Sequence, residues 1–184
     1  MGLGLYQNER MFGNTQMQEM LVMTYPIDKS EILSALAANN IQVNEYAKVY
    51  MAHPHFQTDG VCSNIAVVLC SLQELNLESG SIYSDILLSA GKMGLYPCLP
   101  STGLFLRLSY LNQPQSNNNV LSGVHCAPES AVTVFSKPLE KDDSFPKGLY
   151  LRNVDGTLWL RGYVCDEAYP WASDDIFAFE KRTQ

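Results

Sequence analysis

The chain has 184 residues, enough for one large domain that buries roughly 70% of its unfolded surface without disulfide or metal staples. Hydrophobic residues make up 46% and charged residues 17%, a globular composition that argues against a disordered chain. With 19 acidic residues against 12 Lys and Arg, the net charge is −7, which repels phosphate backbones and anionic lipid heads, so neither nucleic acid nor a membrane surface is an expected partner.

The opening segment, MGLGLYQNERMFGNTQ, carries no basic stretch followed by an apolar one, and nowhere does the sequence reach the roughly 20 apolar residues of a spanning helix. A cytoplasmic setting is expected, although export by a dedicated secretion machine would leave the same sequence. Five cysteines, odd in number and widely spaced, suit reduced thiols better than a disulfide framework. The apolar run Glu19 to Tyr25, closed by Pro26, predicts a strand. Asp28 with Glu31 three residues on predicts a capping box, and Ile32, Leu33, Leu36 and Ala37 recur at helical spacing until Asn39 and Asn40. A second helix is expected from Asn44 through Ala52, stopping before Pro54. Asn64 to Leu72 predicts a buried strand, and Tyr83 to Lys92 a helix entered from the Gly80-Ser81 turn.

From Gly103 the pattern turns to short strands: Leu104 to Leu111, Val120 to His125, Ala131 to Phe135, Gly148 to Asn153, Thr157 to Val164 and Ile176 to Glu180. Asp155-Gly156 between two alternating runs predicts a tight hairpin, whereas Gln113 to Asn119 reads as a polar loop with no structural drive. No Pro- or Ser-rich linker intervenes, so the whole chain is expected to form a single domain, with a helix-containing half of about 17–100 and an all-strand half of about 103–181. The expected fold is α+β: an antiparallel, twisted or partly closed sheet, with two to three helices on its apolar face.

Three stretches repeat a Leu-Arg signature: Phe105-Leu106-Arg107-Leu108, Leu149-Tyr150-Leu151-Arg152 and Leu158-Trp159-Leu160-Arg161. Strand side chains alternate faces, so the leucines fall on a core side. Phe105, Arg107, Tyr150, Arg152, Trp159, Arg161 and Tyr163 then gather on the other. Guanidinium forks match carboxylate or phosphate and aromatic rings supply contact area, which makes Arg107, Arg152, Trp159, Arg161 and Tyr163 the candidate partner-binding residues. The competing explanation is a structural arginine–aromatic ladder whose charges pair internally with Asp166, Glu167, Asp174 or Asp175.

Catalytic chemistry is sparse. His53 and His55, with Asp59, offer a weak metal-ligand cluster short of the four ligands of a closed site. His125 and Cys126 are neighbours in a predicted strand and point to opposite faces. Gly91-Lys92 lacks the first glycine and the Ser or Thr of a phosphate loop. No catalytic residue can be named, and no cofactor is called for.

The stretches Gly103 to Pro114, Leu158 to Tyr163 and Trp171 to Phe179 resemble a family of small bacterial proteins with a Leu-Arg-rich strand region and no settled function. The resemblance implies a bacterial origin and an independently folding unit, and it carries over no catalytic residue. A non-enzymatic binding module recognising an anionic or polar group, on a protein or on a small ligand, is the function expected. The alternatives are a small hydrolase or metal-dependent enzyme built on His53, His55 and Asp59 or on the acidic group with His125, and a structural component of an assembly.

Overall fold

The computed structural model describes residues 17–58, 60–116, 127–128 and 130–182. Strand β1 (Gln18–Thr24) leads to helix α1 (Lys29–Ala38), whose buried residues Ile32 and Leu36 are one helical turn apart. Asp28 stands at the N-cap position, but its side chain caps nothing, so the expected capping box is not formed. After the short strand β2 (Gln42–Val43), helix α2 (Glu45–Ala52) is capped by the Asn44 side chain, which accepts from Ala47 N at 3.0 Å. Strand β3 (Ser63–Ser71) and helix α3 (Tyr83–Lys92) follow, the helix with Asp85 in its first turn accepting from Ile82 N.

The second half departs from the sequence reading at once. Strand β4 (Leu95–Tyr96) precedes a helix, α4 (Thr102–Ser109), in place of the strand expected from Leu104 to Leu111. All six residues from Thr102 to Arg107 are buried, so the run carries no exposed face from which a helical period could be read. The strands β5 (Val132–Val134), β6 (Gly148–Val154), β7 (Thr157–Tyr163) and β8 (Ile176–Lys181) match the expected positions. Asp155 and Gly156, with φ of 50° and 79°, make the β6–β7 hairpin turn. The strand expected from Val120 to His125 lies outside the described residues.

The fold is α+β, but the sheet is mixed and curled rather than antiparallel, in the order β1-β3-β8-β5-β6-β7-β2 with β4 also paired to β8. The β5–β8 and β7–β2 pairs are parallel. The helices cover both sides of it. On one side Val22, Val67, Val132, Leu149, Leu151 and Leu160 pack with Ile32 and Leu36 of α1, Tyr50 of α2 and Leu104 of α4. On the other side Val68, Phe177 and Phe179 pack with Ile86 and Ala90 of α3.

Helix α2 is locked to the sheet by one asparagine and one glycine. The Asn44 Oδ1 that caps the helix also accepts from Gly162 N at 2.8 Å, and its amide donates to Gly162 O at 3.1 Å, so a side chain takes the place of a neighbouring strand beside β7. A Cβ on residue 162 would lie 2.6 Å from Ala47 N and from the Tyr46 carbonyl carbon, which only glycine avoids.

Candidate functional site

The β6–β7 hairpin presents the alternation expected from the sequence. Leu149, Leu151 and Leu160 face the α1–α2–α4 layer, while Tyr150, Arg152, Trp159, Arg161 and Tyr163 share the opposite side; Tyr150 pairs with Arg161, and Arg152 with Trp159. Tyr150, Trp159, Arg161 and Tyr163 are half-buried. The Arg161 guanidinium carbon lies 5.2 Å from the Trp159 ring centroid and 6.0 Å from that of Tyr150. Burial pushes the Tyr150 phenol up, against the opposing pull of Arg161 and Arg152. The hydroxyl therefore keeps its proton at neutral pH, and the two arginines face no phenolate.

Arg161 makes no ion pair with any described residue, and its buried Nε has no acceptor. The internal pairing with the acidic segment is thus absent for this arginine among the described residues. Asp166, Glu167 and Asp174 are exposed, and the buried Asp175 instead accepts from Ala172 N at 2.8 Å within its own turn. Burial raises the pKa of that carboxyl.

Arg107 does not join this face. It sits on α4, on the leucine side of the sheet, with none of its surface exposed. One guanidinium nitrogen donates to Gln113 Oε1 at 2.5 Å and the other to Tyr110 O, while Nε has no partner. Burial lowers the Arg107 pKa to about 10, with no ion pair to any described carboxylate. Its neighbour Gln113 overturns the expectation of a loop without structural drive: its amide donates to Ser130 O and Leu151 O, and its own carbonyl accepts from Asn153. Arg152 is buried against that loop and donates to Ser116 Oγ at 3.3 Å.

His53 and His55 adjoin one another, and His53 is held by hydrogen bonds. His53 Nδ1 accepts from His55 N and His53 Nε2 meets Glu140 at 2.9 Å, so both ring nitrogens are occupied. Asp59, like His125 and Cys126, lies outside the described residues, among which no trio of His, Cys, Asp and Glu could hold a metal ion. The thiols of Cys70 and Cys165 are pushed up to about 12 and 11 by burial, which keeps them protonated and poor nucleophiles at neutral pH.

Two concavities adjoin the arginine face. A cleft of about 150 Å³ opens beside Tyr150, walled by Thr133, Tyr163, Tyr169 and Trp171. Behind the Tyr163 ring a smaller cavity, about 60 Å³, lies between Tyr83, Phe135, Trp171 and Phe177. Sequence reading missed this second cavity, because its walls come from α3, β5, β7, β8 and the preceding loop and no spacing links them. The one local hint was the aromatic density of Tyr163 to Phe179. No family model, curated protein or solved structure matches the chain, so the resemblance drawn from the Leu-Arg stretches stays a reading of the sequence.

Proposed function

We propose that the protein is a binding module whose β6–β7 face recognises an anionic group, a carboxylate or phosphate, carried next to a flat or apolar group on a partner. The observation that carries this reading is Arg161: a half-buried guanidinium between Tyr150 and Trp159, with no carboxylate partner among the described residues and with a cleft beside the Tyr150 ring. The rings hold the guanidinium plane and supply contact area, and the fork offers paired donors to an oxyanion. Arg152, buried and donating to Ser116 Oγ, adds a second positive charge in the neighbouring pair of the hairpin, and Tyr163 forms part of the cleft wall. A cytoplasmic setting belongs to the same proposal, supported by the free thiols of Cys62, Cys70, Cys98 and Cys165. Among the described residues no helix is long and apolar enough to cross a membrane.

Benzoate, which combines a ring with a carboxylate, is the probe. Titration followed by heteronuclear NMR is expected to move the Arg161 side-chain and Trp159 indole resonances saturably, and Arg161→Gln to weaken that binding by at least about tenfold. Shifts that persist unchanged in Arg161→Gln, or no saturable shift at all, sink the proposal.

A further inference from the structure

The small aromatic cavity has a different electrostatic character from the arginine face. Its walls stand close to perpendicular: Tyr163 and Trp171 at 88°, Trp171 and Phe177 at 78°, Phe135 and Phe177 at 76°. Tyr83 stacks on Phe135 at 4.7 Å and closes the remaining side. Rings set at right angles around a small space are the arrangement in which a cation can meet more than one π face.

The charges around the cavity have the same sense. Its one cation, Lys147, is buried and already held, with Nζ 2.8 Å from Asp143 and hydrogen-bonded to the Asp142 carbonyl at 3.3 Å. Two further carboxylates in the lining, Asp166 and Glu167, are exposed and make no ion pair with any described residue. With Lys147 balanced by Asp143, the lining carries the uncompensated charge of those two acids. The remaining polar side chains, the Ser136 hydroxyl, the Tyr83 and Tyr163 phenols and the Cys165 thiol, are neutral, since burial raises the pKa of both phenols and of the thiol. An anion placed there would meet carboxylates at the mouth and no free cation inside.

We propose that this cavity is a binding site for a small organic ammonium cation of the N-methylated or quaternary class. It shares the Tyr163 and Trp171 rings with the cleft beside the arginine face but does not include Arg161. At about 60 Å³ the space holds about four waters by volume, which suits a compact head group rather than a large ring system. A primary ammonium carries three donors and a tight hydration shell, and the few neutral hydroxyls of the lining replace that shell poorly. Methylation removes the donors and lowers the hydration, leaving a diffuse positive charge that aromatic faces accommodate. Asp166 and Glu167 then act as a rim that attracts the cation and closes the charge balance.

The test compares choline with its neutral carbon isostere, 3,3-dimethylbutan-1-ol, at matched ionic strength. The readout is the Trp171 indole resonance, distinguished from that of Trp159 with the Trp159→Phe variant. Choline is expected to shift Trp171 saturably, with the isostere at least about tenfold weaker. The exposed double variant Asp166→Asn/Glu167→Gln is expected to weaken choline about fivefold while leaving the isostere unchanged. Equal binding of the two compounds would reduce the cavity to a hydrophobic hole and overturn the proposal. No saturable choline shift at tens of millimolar, or indifference of choline to the double variant, would each overturn it as well. Because benzoate reports on Arg161 and choline on Trp171, failure at one site leaves the result at the other intact.

Discussion

The two sides of the sheet put similar residues to different uses. On the leucine side, α1, α2 and α4 cover β5, β6 and β7, and the polar groups there are tied into the scaffold: Asn44 serves the end of α2 and the edge of β7 at once, and Gln113 uses both its carbonyl and its amide. On the opposite side α3 packs over β3 and β8, and the β6–β7 surface is left with half-buried rings, the unpaired Arg161, two concavities and the exposed acids Asp166 and Glu167. Stability therefore resides mainly on the first side. Arg161, Asp166 and Glu167, which make no ion pair with any described residue, lie on the second, where a guanidinium and a carboxylate rim stand on either side of the Tyr150–Tyr163–Trp171 rings.

The largest effect expected from a single substitution tests the locked side. In Gly162→Ala the new methyl would meet the α2 backbone at 2.6 Å, where no side chain can swing away to make room. A loss of about 3 kcal/mol is expected by urea unfolding, because either α2 or β7 has to move. An unchanged midpoint would show that α2 does not clamp β7, and the division between the two sides would fail.

A smaller effect tests the point where the sides meet. Tyr50 lies in the leucine-side core, yet its hydroxyl reaches Ser136 Oγ, 3.3 Å away, in the lining of the aromatic cavity. Burial pushes the Tyr50 pKa from 10.0 up to about 12. Since the folded value lies above the unfolded one, this group's contribution is complete below pH 10 and disappears as pH rises through about 12. Tyr50→Phe is expected to cost about 1 kcal/mol at neutral pH, for the lost hydrogen bond, and to flatten the alkaline limb of stability against pH. The check is chemical denaturation at a series of pH values; an alkaline limb as steep as in the wild type would mean that Tyr50 is solvated in the folded state.

Legibility from sequence follows from how each element announces itself. Helix α3 was readable at both ends because Ile86 and Ala90 recur at helical spacing behind a Gly-Ser entry, even though Leu87 and Leu88 face outward. The β6–β7 hairpin was readable because Asp-Gly fixes a turn with positive φ and the strands beside it alternate strictly. Helix α4 was not, since a segment buried on all sides loses its period and Ser101 ahead of it makes no side-chain cap. That single misreading also displaced Arg107, which strand alternation assigned to the recognition face and which helix α4 buries on the other side. The candidate site was half legible: residues on one hairpin declared a shared face, whereas the aromatic cavity depends on β5 and β8 being parallel neighbours, a long-range pairing that no local pattern encodes.

The smallest expected effect decides whether the arginine face is surface or scaffold. Arg161 adjoins Leu160, and the strand sends the two to opposite sides: Leu160 has none of its surface exposed, and Arg161 is half-buried. Replacing the guanidinium by an amide removes no ion pair, and it loses a hydrogen bond to the Tyr150 hydroxyl and cation–π contacts of about 0.5–1 kcal/mol each at an exposed site, part of which a planar Gln recovers by stacking and by its own amide donors. It also relieves the desolvation of a buried, unsatisfied Nε–H. These terms oppose one another, so Arg161→Gln is expected to lie within about 0.5 kcal/mol of wild type in urea unfolding, against about 3 kcal/mol for Leu160→Ala next to it. A loss for Arg161→Gln approaching that of its neighbour would make the guanidinium part of the scaffold, and the weakened benzoate binding of the same variant would then report a damaged fold instead of a lost contact.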